Sequence, residues 1–288
     1  MGAFSILNNI AGLNAQNQLA NNNVALSRTL LRLSSGKRIN SGADDAAGLQ
    51  IADSLRANSK ALDQAVRNAN DGIGVSQIAD GALQEISNLL IRSVTLAEEA
   101  ATETTDTQGR NSLDAEFTQI EAEIARIAVS TNFNGTLLFG TGAGTIGGSL
   151  SVFVGDTANN SSIAVTIHAI TTTADGQVTD LGGAQLNAIN LTQQDTAVAA
   201  LTVLRSALAG VSANRASIGS GINRLQAAAA VLQTQSQNTQ AAESIIRDAN
   251  VAEEVANLTK YQILSQSGMA ALAQANMASQ SVLSLLRQ

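Results

Sequence analysis

Cysteine, proline and tryptophan are absent from this 288-residue chain, and it holds a single tyrosine, Tyr261, and a single histidine, His168. Without cysteine, neither disulfides nor thiolate metal ligands can support the fold, so its cores must come from aliphatic packing. Aromatic residues make up 2% of the sequence, fewer than an enzyme of this length usually gathers around a shaped pocket, which argues against catalysis and against a cofactor. His168 stands alone in a β-prone run, so no metal centre is expected there. The formal net charge is −7 and no basic run occurs, which leaves nucleic-acid backbone binding without an electrostatic basis. The amino terminus lacks a basic n-region and a continuous apolar h-region, and no segment reaches eighteen apolar residues without polar interruption. Neither a cleaved signal nor membrane insertion is expected, although such a reading is blind to export through uncleaved signals.

What the chain does have is periodicity at both ends. Val255, Leu258, Gln262, Ser265, Met269, Leu272, Asn276, Ser279, Leu283 and Leu286 alternate three- and four-residue spacings, which places them on one helical face. Ile6, Ile10, Leu13, Asn17, Ala20, Val24, Ser27 and Leu31 repeat the pattern at the other end. Two matching stripes predict a coiled coil built from both termini. Asn, Gln and Ser sit where a dry seam would carry Leu or Ile, so an isolated pair is expected to be marginal and to gain from many neighbours. This points to an assembly subunit.

The clearest boundary is compositional, because no Lys, Arg or Glu occurs between Arg126 and Arg205, and 10 of the 23 glycines fall between Gly135 and Gly183. Residues 150–154 (LSVFV) and 163–168 (IAVTIH) read as short strands parted by the turn-formers Gly155-Asp156 and Asn159-Asn160. Helical stripes flank this insertion: Leu62, Val66, Ala69 and Ile73, then Leu83, Ile86, Leu90, Val94 and Ala97; Leu113, Phe117, Ile120, Ile124 and Ile127; and Leu201, Leu204, Leu208, Val211, Arg215, Ile218, Ile222, Leu225, Ala229 and Leu232. Three or four long helices sharing one core are predicted. The expected fold class is therefore mainly α: paired terminal helices and a helical-bundle core rod with a small β-containing insertion. Between the first terminal helix and the bundle, Gly36 and Gly42 can bend the chain, and Asp44 and Asp45 are placed to cap a helix that begins at Ala46.

Several long motifs in order resemble bacterial flagellins: residues 34–52 (SSGKRINSGADDAAGLQIA), 70–83 (NDGIGVSQIADGAL), 131–135 (TNFNG), 246–253 (IRDANVAE) and 258–287. With residues 1–33, the resemblance covers about three quarters of the chain. It implies a non-catalytic filament subunit for swimming motility, secreted by the flagellar export apparatus and polymerised head-to-tail beneath a cap. It further implies a terminal inner-core helical domain (1–40 with 245–288), an outer-core helical domain (41–139 with 194–244) and a reduced, surface-exposed outer domain (140–193).

By the same resemblance the partners are further copies in a homopolymer, other flagellins, the filament cap, a hook-filament junction protein and an export chaperone. A junction protein is itself the alternative reading, disfavoured by the loop motif and the complete carboxy-terminal pattern. Assembly candidates are Ile6, Ile10, Leu13, Arg38, Asp44, Asp45, Arg247, Asp248, Leu258, Met269, Leu272, Leu283 and Leu286. Flagellins are also ligands of an innate immune receptor, whose contact region corresponds to residues 89–99, with Leu89, Arg92, Val94 and Leu96 as candidates. Val94 stands where strongly recognised flagellins carry Arg.

Overall fold

The computed structural model describes residues 9–140, 145–155, 162–172, 178–181 and 183–286, with side chains described through residue 277. Five helices account for most of it: α1 (Ile10–Ser35), α2 (Ala46–Ala101), α3 (Thr107–Ser130), α4 (Gln194–Arg247) and α5 (Val251–Leu286). The expected fold class holds, with paired terminal helices, a helical bundle and a small β insertion. The chain packs as two compact units, one formed by both ends of the chain, up to Ala57 and from Asn238, the other by Asn58–Gln237.

In the second unit α2 and α4 run antiparallel. Asp80 Oδ1 accepts from Arg215 Nε at 2.9 Å, and towards the other end Ser236 Oγ donates to Asp63 Oδ1 at 2.6 Å. Asp106 starts α3 by accepting the Gly109 amide at 2.7 Å, and Arg110 Nε reaches back 2.8 Å to the Ala100 carbonyl at the end of α2. Both contacts satisfy backbone groups that a helix end leaves open. The core joins Leu83, Ile86 and Leu90 of α2, Phe117 and Ile124 of α3, and Leu204, Ile218 and Leu225 of α4. Part of α4 is apolar enough to cross a membrane by length and composition, but Val211, Ile218 and Leu225 are buried in this core.

The insertion forms three two-stranded antiparallel ribbons: β1 (Asn132–Phe133) with β2 (Thr136–Leu137), β3 (Leu150–Phe153) with β4 (Ser162–Val165), and β5 (Ile170–Thr172) with β6 (Val178–Leu181). Asn134 (φ 51°) and Gly135 (φ 80°) make the first turn, where the left-handed region suits Asn-Gly. The predicted strand pair corresponds to β3 and β4, while its Asn159-Asn160 turn lies outside the described residues. A lone ribbon is marginal in water, and the helices supply what it lacks. A Cβ on Gly72 of α2 would come within 2.6 Å of Val152, and one on Gly221 of α4 within 2.7 Å of Val165, so the two glycines are seats for the valines of β3 and β4. Helix side chains also bind insertion backbone: Asn68 Nδ2 to Phe153 O (3.1 Å), Asp114 Oδ1 from Leu191 N (2.8 Å), Glu121 Oε1 from Val178 N (3.0 Å) and Asn214 Oδ1 from His168 N (3.2 Å). His168 itself is exposed.

Candidate assembly surface

α1 starts where Asn9 Oδ1 accepts the Gly12 amide at 2.9 Å, and it stops at Gly36, whose φ of 69° gives the left-handed cap that glycine adopts without strain. Its covered seam runs through Gly12, Ala15, Leu19, Asn22, Leu26, Thr29 and Leu33, flanked by half-buried Ala25 and Arg32; that of α5 runs through Glu254, Leu258, Tyr261, Ser265, Gly268, Leu272 and Ala275, flanked by Asn257. Both sets alternate three- and four-residue steps, the spacing of a coiled-coil seam. Asn9 Nδ2 donates to Ala275 O (3.2 Å), Leu19 faces Gly268, Ser265 Oγ donates to Asn23 Oδ1 (3.3 Å), and Arg32 Nη1 meets Glu254 Oε1 (3.4 Å). Partner numbers fall along α5 as they rise along α1, so the pair is antiparallel.

This seam corrects the predicted stripes. On α1 the expected positions are displaced by two residues from the covered ones, about 200° around the helix, so they occupy the opposite face. Ile10 (64% exposed), Leu13 (59%), Val24 (62%) and Leu31 (55%) lie open there. On α5 the predicted Leu258, Ser265 and Leu272 belong to the seam, but Val255, Gln262, Met269 and Asn276 are each one residue past it, and Met269 is 52% exposed. Gly12, Ala15, Gly268 and Ala275 let the backbones approach, with Leu19, Leu26 and Leu33 filling alternate seam positions, and the second apolar row of α1 is left on the far face. Ile6 lies outside the described residues. Leu283 and Leu286 are in α5, with their side chains outside the described part.

The loop after α1 is tied to the α4–α5 junction by backbone. Arg38 N donates to Arg247 O at 2.7 Å, Ala249 N to Gly36 O at 3.0 Å, and Arg38 Nη2 to Ile246 O at 2.7 Å. Lys37 and Asp248 form an isolated antiparallel bridge, and Asp248 Oδ2 accepts from Ser244 Oγ at 2.6 Å. Arg247 Nη1 binds Asp53 Oδ1 at 3.0 Å and lies 3.8 Å from Glu243 Oε1. Ile39 is buried beneath this layer.

The two adjacent aspartates divide the work. Asp45 Oδ1 accepts the Gly48 amide at 2.9 Å and caps α2, as expected. Asp44 does not cap; its Oδ2 gathers the Asn40 and Ser41 amides and the Ser41 hydroxyl, and its Oδ1 lies 3.8 Å from Arg28 and 3.9 Å from Arg32. Burial opposes ionisation of Asp44, but the three Ser41 and Asn40 hydrogen bonds and the Arg32 charge outweigh it and hold the carboxyl below its ordinary value. Arg32 thereby links the loop carboxylate to Glu254 on α5. Sequence reasoning missed Arg28, Arg32 and Glu254; a charged residue at a seam position is the signal that would have flagged Glu254.

On α2, Leu89 and Val94 are half-buried against the bundle core, and Leu96 is wholly buried, so Leu96 presents no surface. Arg92 is exposed and makes two hydrogen bonds to Glu116 Oε1 of α3, at 2.9 and 2.7 Å. Among the described residues no three His, Cys, Asp or Glu side chains converge as metal ligands would.

Residues 6–143 match the bacterial flagellin N-terminal helical region, and residues 201–286 match the bacterial flagellin C-terminal helical region. The chain is 36% identical over 288 residues to flagellin FlaB1 of Treponema pallidum (strain Nichols), and 37% identical over 288 residues to the flagellar filament 33 kDa core protein of Treponema phagedenis. Both alignments cover 98% of this chain and 99% of the relative. A putative flagellar hook-associated protein from Vibrio parahaemolyticus is similar in fold, with a TM-score of 0.59 at 15% identity over 71% of this chain and 99% of that one. The chain belongs to the bacterial flagellin family.

Proposed function

We propose that this protein is the repeating structural subunit of a flagellar filament and that the outer stripe of α1 is the face it gives to neighbouring copies. A flagellin-type subunit builds its polymer through its terminal helices, and the observation that carries the finer reading is the open row Ile10, Leu13, Val24 and Leu31, set opposite an already occupied seam. A helix with an apolar stripe on each side can hold a partner in its own chain and a second in the polymer. Identical heterologous contacts that do not close on themselves extend as an open helix. The subunit acts outside the cell, as its relatives' names imply for a filament, and uses an export chaperone and a distal cap on the way. The division into inner-core (1–40 with 245–288), outer-core (41–139 with 194–244) and surface (140–193) domains belongs to this proposal, as does receptor contact through Leu89, Arg92 and Val94.

The test is seeded growth followed by negative-stain electron microscopy. Purified chain added to short preformed filaments is expected to lengthen them, and a chain lacking α1 and α5 is expected not to. Seed binding without extension would replace the propagating subunit by a junction protein, and wholly inert intact chain would refute polymerisation.

A further inference from the structure

Among the described residues, Glu121 is the one titratable side chain that holds the insertion backbone from a buried helix position. It is 6% exposed, sits on α3 and accepts the amide of Val178, itself fully buried at the start of β6. Among the described residues no cationic side chain is paired with it. The segment it holds contains no Lys or Arg between Arg126 and Arg205. Of the other charged groups on α3 and β6, Arg110 is turned to the Ala100 and Thr102 carbonyls, Asp114 to Leu191 N, Glu116 to Arg92, Glu123 and Arg126 to each other at the exposed side, and Asp180 to the Gly183 amide. A carboxylate taken out of water without a cation is disfavoured relative to its neutral form.

We propose that Glu121 is a proton-sensitive latch between α3 and the β5–β6 ribbon, holding the ribbon more firmly when the carboxyl is protonated and releasing it more readily when ionised. Burial pushes the carboxyl above its ordinary value, while the Val178 amide pulls the other way and does not overcome it. The sign follows from linkage. The docked state binds the proton more tightly than the open state, in which Glu121 meets water, so docking is strongest below the ordinary carboxyl value and weakens as pH rises through the raised one. Between those limits, opening becomes about tenfold more frequent for each pH unit traversed. Loosening of this kind is expected at the Val178 end of β6 first, where Glu121 binds, while Ile170 and Leu181 keep the ribbon in the core.

Amide hydrogen exchange of residues 178–181, corrected for intrinsic rates and measured on the intact monomer across the mildly acidic to neutral range, tests this. Wild type is expected to lose protection as pH rises, and Glu121→Gln, neutral at every pH, is expected to keep its protection constant. The same pH dependence in both proteins would overturn the proposal. Should the variant fold poorly, the carboxyl carbon of Glu121 titrated by NMR in wild type decides alone. A midpoint above the ordinary glutamate value supports the latch, and one at or below it removes it.

Discussion

Asp44 and Asp45 are adjacent, identical in chemistry and different in task. Asp45 caps α2 through the Gly48 amide, and replacing a cap by Ala costs about 0.5–2 kcal/mol. Asp44 instead closes the loop on itself and faces Arg28 and Arg32; burial opposes its ionisation, but its hydrogen bonds from Ser41 and Asn40, with the Arg32 charge, outweigh this and depress its carboxyl. A depressed carboxyl contributes stability above the unfolded value of about 3.9 and loses it as pH falls through the folded one. Asp44→Asn is therefore expected to speed exchange of the Asn40 and Ser41 amides at neutral pH, with the difference from wild type closing in acid; a difference independent of pH would contradict this. The cap was legible in the sequence, since an acidic residue three positions before Gly48 has one local use. The role of Asp44 was not, because its partners Arg28 and Arg32 lie on α1 and are brought near only when the chain turns at Gly36.

Along whole helices, the periodicity of the sequence was right, and the small residues that lie deepest beside the predicted ones were missed. On α4 the predicted Leu204, Val211, Ile218, Leu225 and Leu232 are buried and Leu201, Leu208 and Ile222 pack half-buried against the core, but the fully buried positions between them are Ala200, Ala207, Asn214 and Gly221, each one residue before the larger side chain predicted there. On α2 the same holds for Ala65, Gly72 and Ser93, beside Val66, Ile73 and Val94. Hydrophobicity ranks the bulky neighbour above the small residue, yet close approach of backbones or of a ribbon demands the small one. Gly221→Ala separates these ideas from helix propensity. Its new methyl meets Val165, and overpacking of about 1–3 kcal/mol should exceed the roughly 1 kcal/mol that Ala gains over Gly in a helix. Gly219→Ala, two residues away with nothing within 4 Å, should raise stability by up to about 1 kcal/mol. Urea unfolding of both variants checks the pair: equal shifts would mean that Gly221 is no seat. The same reasoning predicts that Gly268→Leu parts α1 from α5, seen as loss of protection in α1, because Leu19 already occupies the space. The ribbons β1–β2 and β5–β6 were not legible as elements, being two to four residues long, with β6 started by a helix side chain, Glu121, that no local pattern reveals.

At the scale of the molecule, the terminal pair dilutes Leu19, Leu26, Leu33, Leu258, Tyr261 and Leu272 with small and polar residues in its seam and leaves a second apolar row, Ile10, Leu13, Val24 and Leu31, open. A seam so diluted departs from a self-sufficient coiled coil, in which large apolar side chains fill successive seam positions. A free subunit so built holds its ends together weakly, through a seam containing Asn22, Thr29 and Glu254, and gains most when neighbours cover the outer stripe. The most direct measurement is seeded filament growth with Leu13→Asp/Val24→Asp, two substitutions on the outer face that leave every seam residue unchanged. The account predicts growth slowed by at least tenfold, with the α1–α5 pair and the bundle folded as in wild type. Growth at the wild-type rate would contradict it and return α1's outer face to the status of bare solvent-exposed surface.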